Sequence, residues 1–183
     1  MSNFYHRLLF KRMGWSEQVS IPHRDKCIIC VAPHTSNWDF IIGQLYYRSL
    51  GRTAGFLMKK EWFFWPLGIL FRKMGGIPVY RSKKTSMTDT LAERIKEMEH
   101  FELAVTPEGT RSKVTTWKRG FYFIALKAGI PIQLYDLDYK NKVIRCTKEL
   151  MPTGDVEADM REIMEYYKNS NAKYPEKFAI EEI

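Results

Sequence analysis

Polar residues whose types could do chemistry are concentrated in three short segments of this sequence, each directly after a predicted strand. In the first, residues 33–39 (PHTSNWD), His34 is followed five positions later by Asp39. An aspartate that accepts a hydrogen bond from one imidazole nitrogen leaves the other nitrogen free to take a proton, as in general-base catalysis. The same spacing is typical of a helix start, because Ser36-x-x-Asp39 resembles a capping box. Both interpretations remain open from this segment alone, and they are compatible.

The second and third segments combine glycine with basic residues. In residues 106–112 (TPEGTRS), Gly109 permits backbone angles that other residues resist, and Arg111 offers a planar guanidinium suited to phosphate or carboxylate. Residues 75–81 (GGIPVYR) end in Arg81, just ahead of the basic loop at 82–84. Taken singly, each of these segments is more often a solvated turn than a ligand site, so neither identifies a function.

The elements that must position these segments alternate between β-rich and helical patterns, which predicts an α/β fold. Strands are predicted at residues 27–32, 54–58, 77–80 and 102–105, with a late hairpin at 132–139 and 142–148. Helices are predicted at residues 3–15, 37–50, 62–74, 88–100, 120–128 and 155–167. Because open α/β sheets bind ligands at the carboxyl ends of their strands, the three polar segments are expected to lie at that edge.

Composition excludes several classes of protein. The chain has 183 residues, 45% of them hydrophobic, which fits one domain with a full core and excludes a disordered chain. Its three cysteines do not form a disulfide framework, so a reducing cytoplasm is expected. Cys27 and Cys30 lie three apart in a predicted strand and therefore point to opposite faces, so no metal site is predicted there. Nucleotide-binding glycine motifs are also missing from the sequence.

The formal net charge of +8 is compatible with nucleic acid, with an anionic membrane surface, or simply with solubility. A single-strand nucleic-acid surface interleaves aromatic and basic residues. Here the aromatic residues cluster in one apolar run, residues 62–71 (WFFWPLGILF), so nucleic acid is not expected as a partner. No segment reaches the roughly 20 apolar residues of a membrane-spanning helix, which predicts a soluble or peripheral protein.

Taken together and in order, the polar segments resemble the motifs of the glycerolipid (lysophospholipid) acyltransferase family. His34 and Asp39 match H-x-x-x-x-D, residues 75–81 resemble G-x-I-x-[V/I]-x-R, and residues 107–112 match P-E-G-T-R-S. The Lys-x-Glu of residues 59–61, ahead of the aromatic run, is similar as well. A lone H-x-x-x-x-D is a weak signal, but the ordered set spans roughly residues 27–150 and is specific.

The resemblance implies a single α/β domain with a central, mostly parallel mixed β-sheet flanked by helices. It also implies an enzyme that moves a fatty acyl group from acyl-carrier protein or acyl-CoA to a lyso-lipid hydroxyl. The acceptor it favours is 1-acylglycerol-3-phosphate, giving phosphatidic acid. His34 would be the general base and Asp39 its orienting partner, with no metal or cofactor beyond the acyl thioester. The implied substrate-binding residues are Lys59, Arg81, Glu108, Gly109, Thr110 and Arg111.

Residues 1–20 are predicted to form a basic amphipathic segment at the membrane interface, and residues 21–183 the acyltransferase domain. The protein is then expected to be peripheral, on the cytoplasmic face of an anionic membrane. One alternative is the same mechanism acting on a different lyso-lipid, for example one containing an amino acid. Another is a non-catalytic lipid-binding protein, although such a protein has no use for a paired histidine and aspartate.

Overall fold

The computed structural model describes residues 2–79 and 84–180, and its helices and strands alternate along the chain. Its helices are α1 (Ser2–Arg12), α2 (Asn37–Ser49), α3 (Leu67–Lys73), α4 (Lys84–Glu97), α5 (Gly120–Ala128) and α6 (Val156–Tyr167). Its strands are β1 (Ser16–Val19), β2 (Lys26–Ala32), β3 (Gly55–Lys59), β4 (Gly76–Val79), β5 (Phe101–Val105), β6 (Ile132–Asp138) and β7 (Val143–Leu150). Two short 3-10 helices complete the described part, at Lys60–Trp62 and Pro175–Lys177.

The strands of the described residues form one seven-stranded sheet in the order β1-β7-β6-β2-β5-β3-β4. Every neighbouring pair runs parallel except β6 and β7, which are antiparallel. The exception follows from the short connection between them, since only antiparallel strands can be joined by so few residues. The carboxyl ends of β2, β3, β4, β5 and β6 therefore lie at one edge of the sheet, as the predicted α/β fold requires.

Alternating side chains of the central strand β2 build a separate hydrophobic core on each face of the sheet. Ile28, Cys30 and Ala32 join the core formed with α4, α5 and α6. Cys27 and Ile29 join the core formed with α1 and α2. Burial of each large apolar side chain contributes about 1.5–3 kcal/mol, so covering both faces is what holds β2 in the centre. The two cysteines thus face opposite sides, as their spacing predicts, and both are unpaired thiols.

Most of the predicted elements are present with small shifts at their ends. α5 has the predicted bounds and ends at Gly129, whose φ of +66° is the left-handed angle that glycine adopts easily. Helix α4 starts and ends earlier than predicted, at Lys84 and Glu97, and its earlier end leaves three residues before β5 begins at Phe101. The aromatic run, predicted as one irregular helix, is instead divided between the 3-10 turn Lys60–Trp62 and α3.

Strand β1 has no counterpart among the predicted elements. Its four residues, Ser16–Val19, are all exposed and show no apolar alternation, so nothing in their pattern indicates a strand. They form one because their backbone pairs in parallel with β7, from Ser16 opposite Val143 to Val19 opposite Cys146. Residues 2–19 therefore share the sheet and the core with the rest of the chain, whereas a role of residues 1–20 at a membrane stays a prediction.

Candidate active site

The site is centred on the turn between β2 and α2, where the chain leaves the carboxyl edge of the sheet. Ser36 caps α2 by accepting a hydrogen bond from the Trp38 N–H at 2.9 Å, and Asp39 completes the capping box. The same turn brings His34 Nδ1 to within 3.2 Å of Asp39 Oδ2. The capping box and the contact between the aspartate and the imidazole are thus both present, and the use of His34 as a base stays a prediction.

Asp39 is a buried carboxylate that several donors stabilise in its ionised form. Its Oδ2 accepts from the backbone N–H groups of Thr35 and Ser36, each at 2.8 Å, as well as facing His34. Burial by itself raises the pKa of Asp39, but the hydrogen bonds from His34, Tyr139 and Ser36 outweigh it and lower the pKa below its ordinary value. An ionised Asp39 requires the proton on Nδ1 of His34, which leaves Nε2 as the acceptor nitrogen.

Glu108, in the turn after β5, reaches the same site across the sheet. Its Oε1 accepts the backbone N–H of His34 at 2.8 Å. The side chain is buried, and its other oxygen has no hydrogen-bond partner among the described residues. Burial therefore raises the pKa of Glu108 to about 7, even though the contacts with His34 favour its ionised form. A carboxyl group that changes charge near neutral pH thus adjoins the His34 backbone.

The remaining residues of the P-E-G-T-R-S turn extend outward from Glu108. Gly109 has a φ of +66°, and a side chain there would meet the Lys118 side chain at 3.2 Å. The Thr110 hydroxyl accepts the Ser112 N–H at 3.3 Å, which tightens the turn. Arg111 is exposed beyond it. Glycine at position 109 therefore allows this tight turn, because it adopts the left-handed backbone and leaves room for Lys118. Arg111 stays accessible at the end of the turn.

Two further predicted ligands come from the next strands of the sheet. Lys59 is the last residue of β3, which pairs with β5, and its side chain is exposed at the same carboxyl edge. Arg81 follows β4 and lies outside the described residues. The strand order thus brings His34, Glu108 and Lys59 to neighbouring strand ends. Their roles in catalysis and substrate binding stay predictions.

One residue that touches the site directly is not among the predicted site residues. The Tyr139 hydroxyl donates to Asp39 Oδ1 at 2.6 Å, from the residue immediately after β6. Its position is the signal in the sequence, because this strand is predicted to end at residue 139 and polar groups at strand ends are expected near the site. Among residues 2–79 and 84–180, no group of three or more histidines, cysteines, aspartates or glutamates could hold a metal ion.

Comparisons with known proteins found one matching family and a similar solved structure. The sequence model of the acyltransferase family matches residues 16–133, which include His34, Asp39 and the P-E-G-T-R-S turn. Among solved structures, the fold resembles the crystal structure of 1-acyl-sn-glycerophosphate (LPA) acyltransferase, PlsC, from Thermotoga maritima. The TM-score is 0.57 at 19% identity, over 93% of this chain and 80% of that chain. A comparison with curated proteins found no match.

The structural match confirms the predicted fold class, a single α/β domain with a mostly parallel mixed sheet flanked by helices. The family match covers well over half of the chain. It includes both ends of the site described above, from the strand before His34 to the turn that carries Arg111. The predicted family is thereby confirmed, and the chain belongs to the acyltransferase family.

Proposed function

We propose that this protein transfers a fatty acyl group from acyl-carrier protein or acyl-CoA to the hydroxyl of a lyso-lipid. The acceptor we favour is 1-acylglycerol-3-phosphate, which would give phosphatidic acid. The observation that carries the proposal is the 3.2 Å contact between His34 Nδ1 and Asp39 Oδ2 at the carboxyl edge of an acyltransferase sheet. The structurally similar Thermotoga protein is a 1-acyl-sn-glycerophosphate acyltransferase, which supports the choice of acceptor.

In the proposed reaction His34 acts as general base through Nε2. It removes the proton of the acceptor hydroxyl as that oxygen attacks the thioester carbonyl, and Asp39 stabilises the imidazolium that forms. The carbon–oxygen bond then forms, the carbon–sulfur bond breaks, and the imidazolium returns its proton to the departing thiolate. Because the thioester is already activated, this chemistry requires no metal and no cofactor beyond the co-substrate.

The acceptor phosphate is proposed to bind to the cations of the same edge. Arg111 is exposed on the turn that carries Glu108, and Lys59 is exposed at the end of β3. A guanidinium suits a phosphate because its planar N–H groups make two parallel charge-assisted hydrogen bonds. Arg81 is proposed as a third cation, and Glu108, Gly109 and Thr110 as the wall of the acceptor site.

The acceptor is tested with purified protein, a labelled acyl thioester and a panel of lyso-lipids, with the products identified by mass. Arg111→Ala is expected to raise the KM for a phosphorylated acceptor by about tenfold or more, because a charge-assisted contact is lost. Arg161→Ala is the matched control, since it removes an exposed arginine from α6, away from the strand ends. If Arg111→Ala changes KM no more than Arg161→Ala, the phosphate does not bind there. If only phosphate-free acceptors react, the headgroup proposal is wrong.

We also propose that the protein binds peripherally to the cytoplasmic face of an anionic membrane. Support comes from the aromatic patch, defined as the exposed side chains of Trp62, Phe64, Trp65, Ile69 and Leu70. Helix α1 carries a second set of exposed apolar side chains, those of Phe4, Tyr5, Leu8 and Leu9. The basic residues Lys11 and Arg12 lie in the last turn of the same helix. Tryptophan is favoured at the membrane interface, and lysine and arginine are attracted to anionic lipid. No helix within the described ranges is long and apolar enough to cross a bilayer.

Co-sedimentation with anionic liposomes tests this surface. Trp65 is 82% exposed, so Trp65→Ser removes few contacts within the folded protein. We expect this variant to lower liposome binding by about tenfold, because insertion of one aromatic side chain contributes roughly 1.5–3 kcal/mol. Met151→Ser, at an exposed apolar residue outside the aromatic patch, is the control and should bind like the wild type. Failure of the wild type to bind at low salt would defeat the membrane proposal.

A further inference from the structure

The two oxygens of Asp39 have different partners. Oδ2 accepts the N–H groups of Thr35 and Ser36 and faces His34 Nδ1, so it belongs to the capping turn. Oδ1 accepts the Ser36 hydroxyl at 3.2 Å and the Tyr139 hydroxyl at 2.6 Å. The Ser36 hydroxyl also accepts the Trp38 N–H, which ties it to the helix cap. The shorter contact to Oδ1 is therefore the one from Tyr139.

Tyr139 also differs from the other partners in where it comes from. The donors to Oδ2 lie within five positions of Asp39, whereas Tyr139 is 100 positions away. Local donors fix the carboxylate relative to its own helix. A donor from the residue that follows β6 fixes it relative to the sheet that carries the rest of the site. By holding Oδ1, this contact also limits rotation of the carboxyl group, so that Oδ2 stays toward His34.

The Tyr139 ring is itself held from both ends of the chain. Trp15 packs edge-on against it, with 5.0 Å between ring centroids and an interplanar angle of 88°. The Tyr139 backbone N–H donates to the Asn171 carbonyl at 2.9 Å, and the Lys173 ammonium lies 5.9 Å from the centroid of the Tyr139 ring. Tyr139 and these C-terminal partners lie outside residues 16–133, the range that the family model matches.

We propose that Tyr139 is a positioning residue for acyl transfer, whose hydroxyl holds the Asp39 carboxylate in the orientation that presents Oδ2 to His34. The inference rests on the proposed function, because a positioned base matters only if His34 takes the acceptor proton. It adds a part of the site that comes from the C-terminal third of the chain. Tyr139 acts through Asp39, and substrate contact is not required of it.

The surrounding charges agree with this role. Asp39 is faced by His34 and Tyr139, with Glu108 close enough to influence it electrostatically. Tyr139 is faced in turn by Tyr174 and by Lys173. Burial, followed by the contact with Asp39, raises the pKa of Tyr139, so the phenol stays protonated and remains a donor at neutral pH. Its donation is one of the contacts that lower the pKa of Asp39.

The variant Tyr139→Phe removes the hydroxyl and keeps the ring that packs on Trp15. We expect kcat/KM to fall by about tenfold, as for loss of a hydrogen bond to a charged group. With one donor fewer, the ionised form of Asp39 is less stabilised, so the pKa of Asp39 is expected to rise. A ¹³C NMR titration of the Asp39 carboxyl should show the same upward movement of its pKa, and this measurement does not depend on turnover.

Tyr135→Phe is the matched control. Tyr135 is a buried tyrosine of β6, the strand that ends just before Tyr139, and it packs in the core with Tyr46. The Tyr135→Phe variant should leave the Asp39 titration unchanged. If Tyr139→Phe loses activity and stability while the Asp39 titration stays as in the wild type, the role is merely structural and the inference is wrong. An inactive wild type, or a fully active His34→Ala variant, would instead overturn the proposed function, whichever way Asp39 titrates.

Discussion

Replacing His34 with alanine is expected to lower acyl transfer by about 10²–10⁴-fold, the contribution of a positioned general base. The fold should be retained, since the variant loses the hydrogen bond from the His34 side chain to Asp39 while its backbone N–H still donates to Glu108. The loss should fall on kcat, because the base acts in the transition state and contributes little to binding of the ground state. Steady-state kinetics with a labelled thioester, together with circular dichroism and thermal unfolding, measure both effects.

The protein contains its own control for this experiment. His100 Nδ1 also lies 3.2 Å from an aspartate, Oδ1 of Asp25, but this pair is at the surface, with the His100 side chain 75% exposed. His100→Ala therefore removes a similar contact at the amino ends of β2 and β5, the edge of the sheet opposite the site, and should leave turnover unchanged. Undiminished turnover in the His34→Ala variant would exclude His34 as the general base. An equal loss in both variants would point to a general effect on the fold.

Glu108→Gln is expected to have the second large effect, a change in how the free energy of unfolding depends on pH. The pKa of Glu108 is about 7 in the folded protein, against an ordinary value of 4.5. Between these two pH values the folded chain holds more protons than the unfolded chain, so the free energy of unfolding falls as the pH rises. Glutamine keeps an oxygen that accepts the His34 N–H and never ionises, so the variant avoids this loss.

The variant should therefore be more stable than the wild type at pH 8, by up to about 3 kcal/mol, since one pKa unit corresponds to about 1.4 kcal/mol. The difference should shrink as the pH falls from 7 and vanish below 4.5, because Glu108 is then protonated in both states. Urea unfolding at several pH values measures it. Glu176→Gln, at an exposed glutamate, is the control and should follow the wild type at every pH. A difference between Glu108→Gln and the wild type that does not vary with pH would contradict the expected titration of Glu108.

The membrane and acceptor predictions rest on exposure, which the sequence could indicate only in part. The apolar, aromatic character of residues 62–71 is evident from the sequence. Whether these side chains are buried or exposed depends on how the segment is divided between Lys60–Trp62 and α3. That division leaves Trp65 almost fully exposed and turns Gly68 inward. A segment that is uncharged and mostly apolar along its whole length has no polar face from which burial can be predicted, so its pattern alone could not decide this.

Local features were predictable because short-range geometry determines them. The capping box needs only Ser36 and Asp39 three positions apart, and the same turn pairs the carboxylate with His34. The glycine that ends α5 and the turn between β6 and β7 are equally local. Family membership was predictable for a related reason, since the order of three short motifs along the chain requires no knowledge of contacts.

Contacts between distant segments were decided by the order of strands in the sheet. Strand β1 forms because β7 offers it a free edge, not because of its own residues. Glu108 reaches the His34 backbone across 74 positions because β5 pairs with β2. Tyr139 reaches Asp39 across 100 positions because β6 pairs with β2 on the other side. By itself the sequence determined the histidine, its aspartate and the family. The tertiary structure decided what surrounds that pair, because strand pairing places side chains by register and not by their distance along the chain.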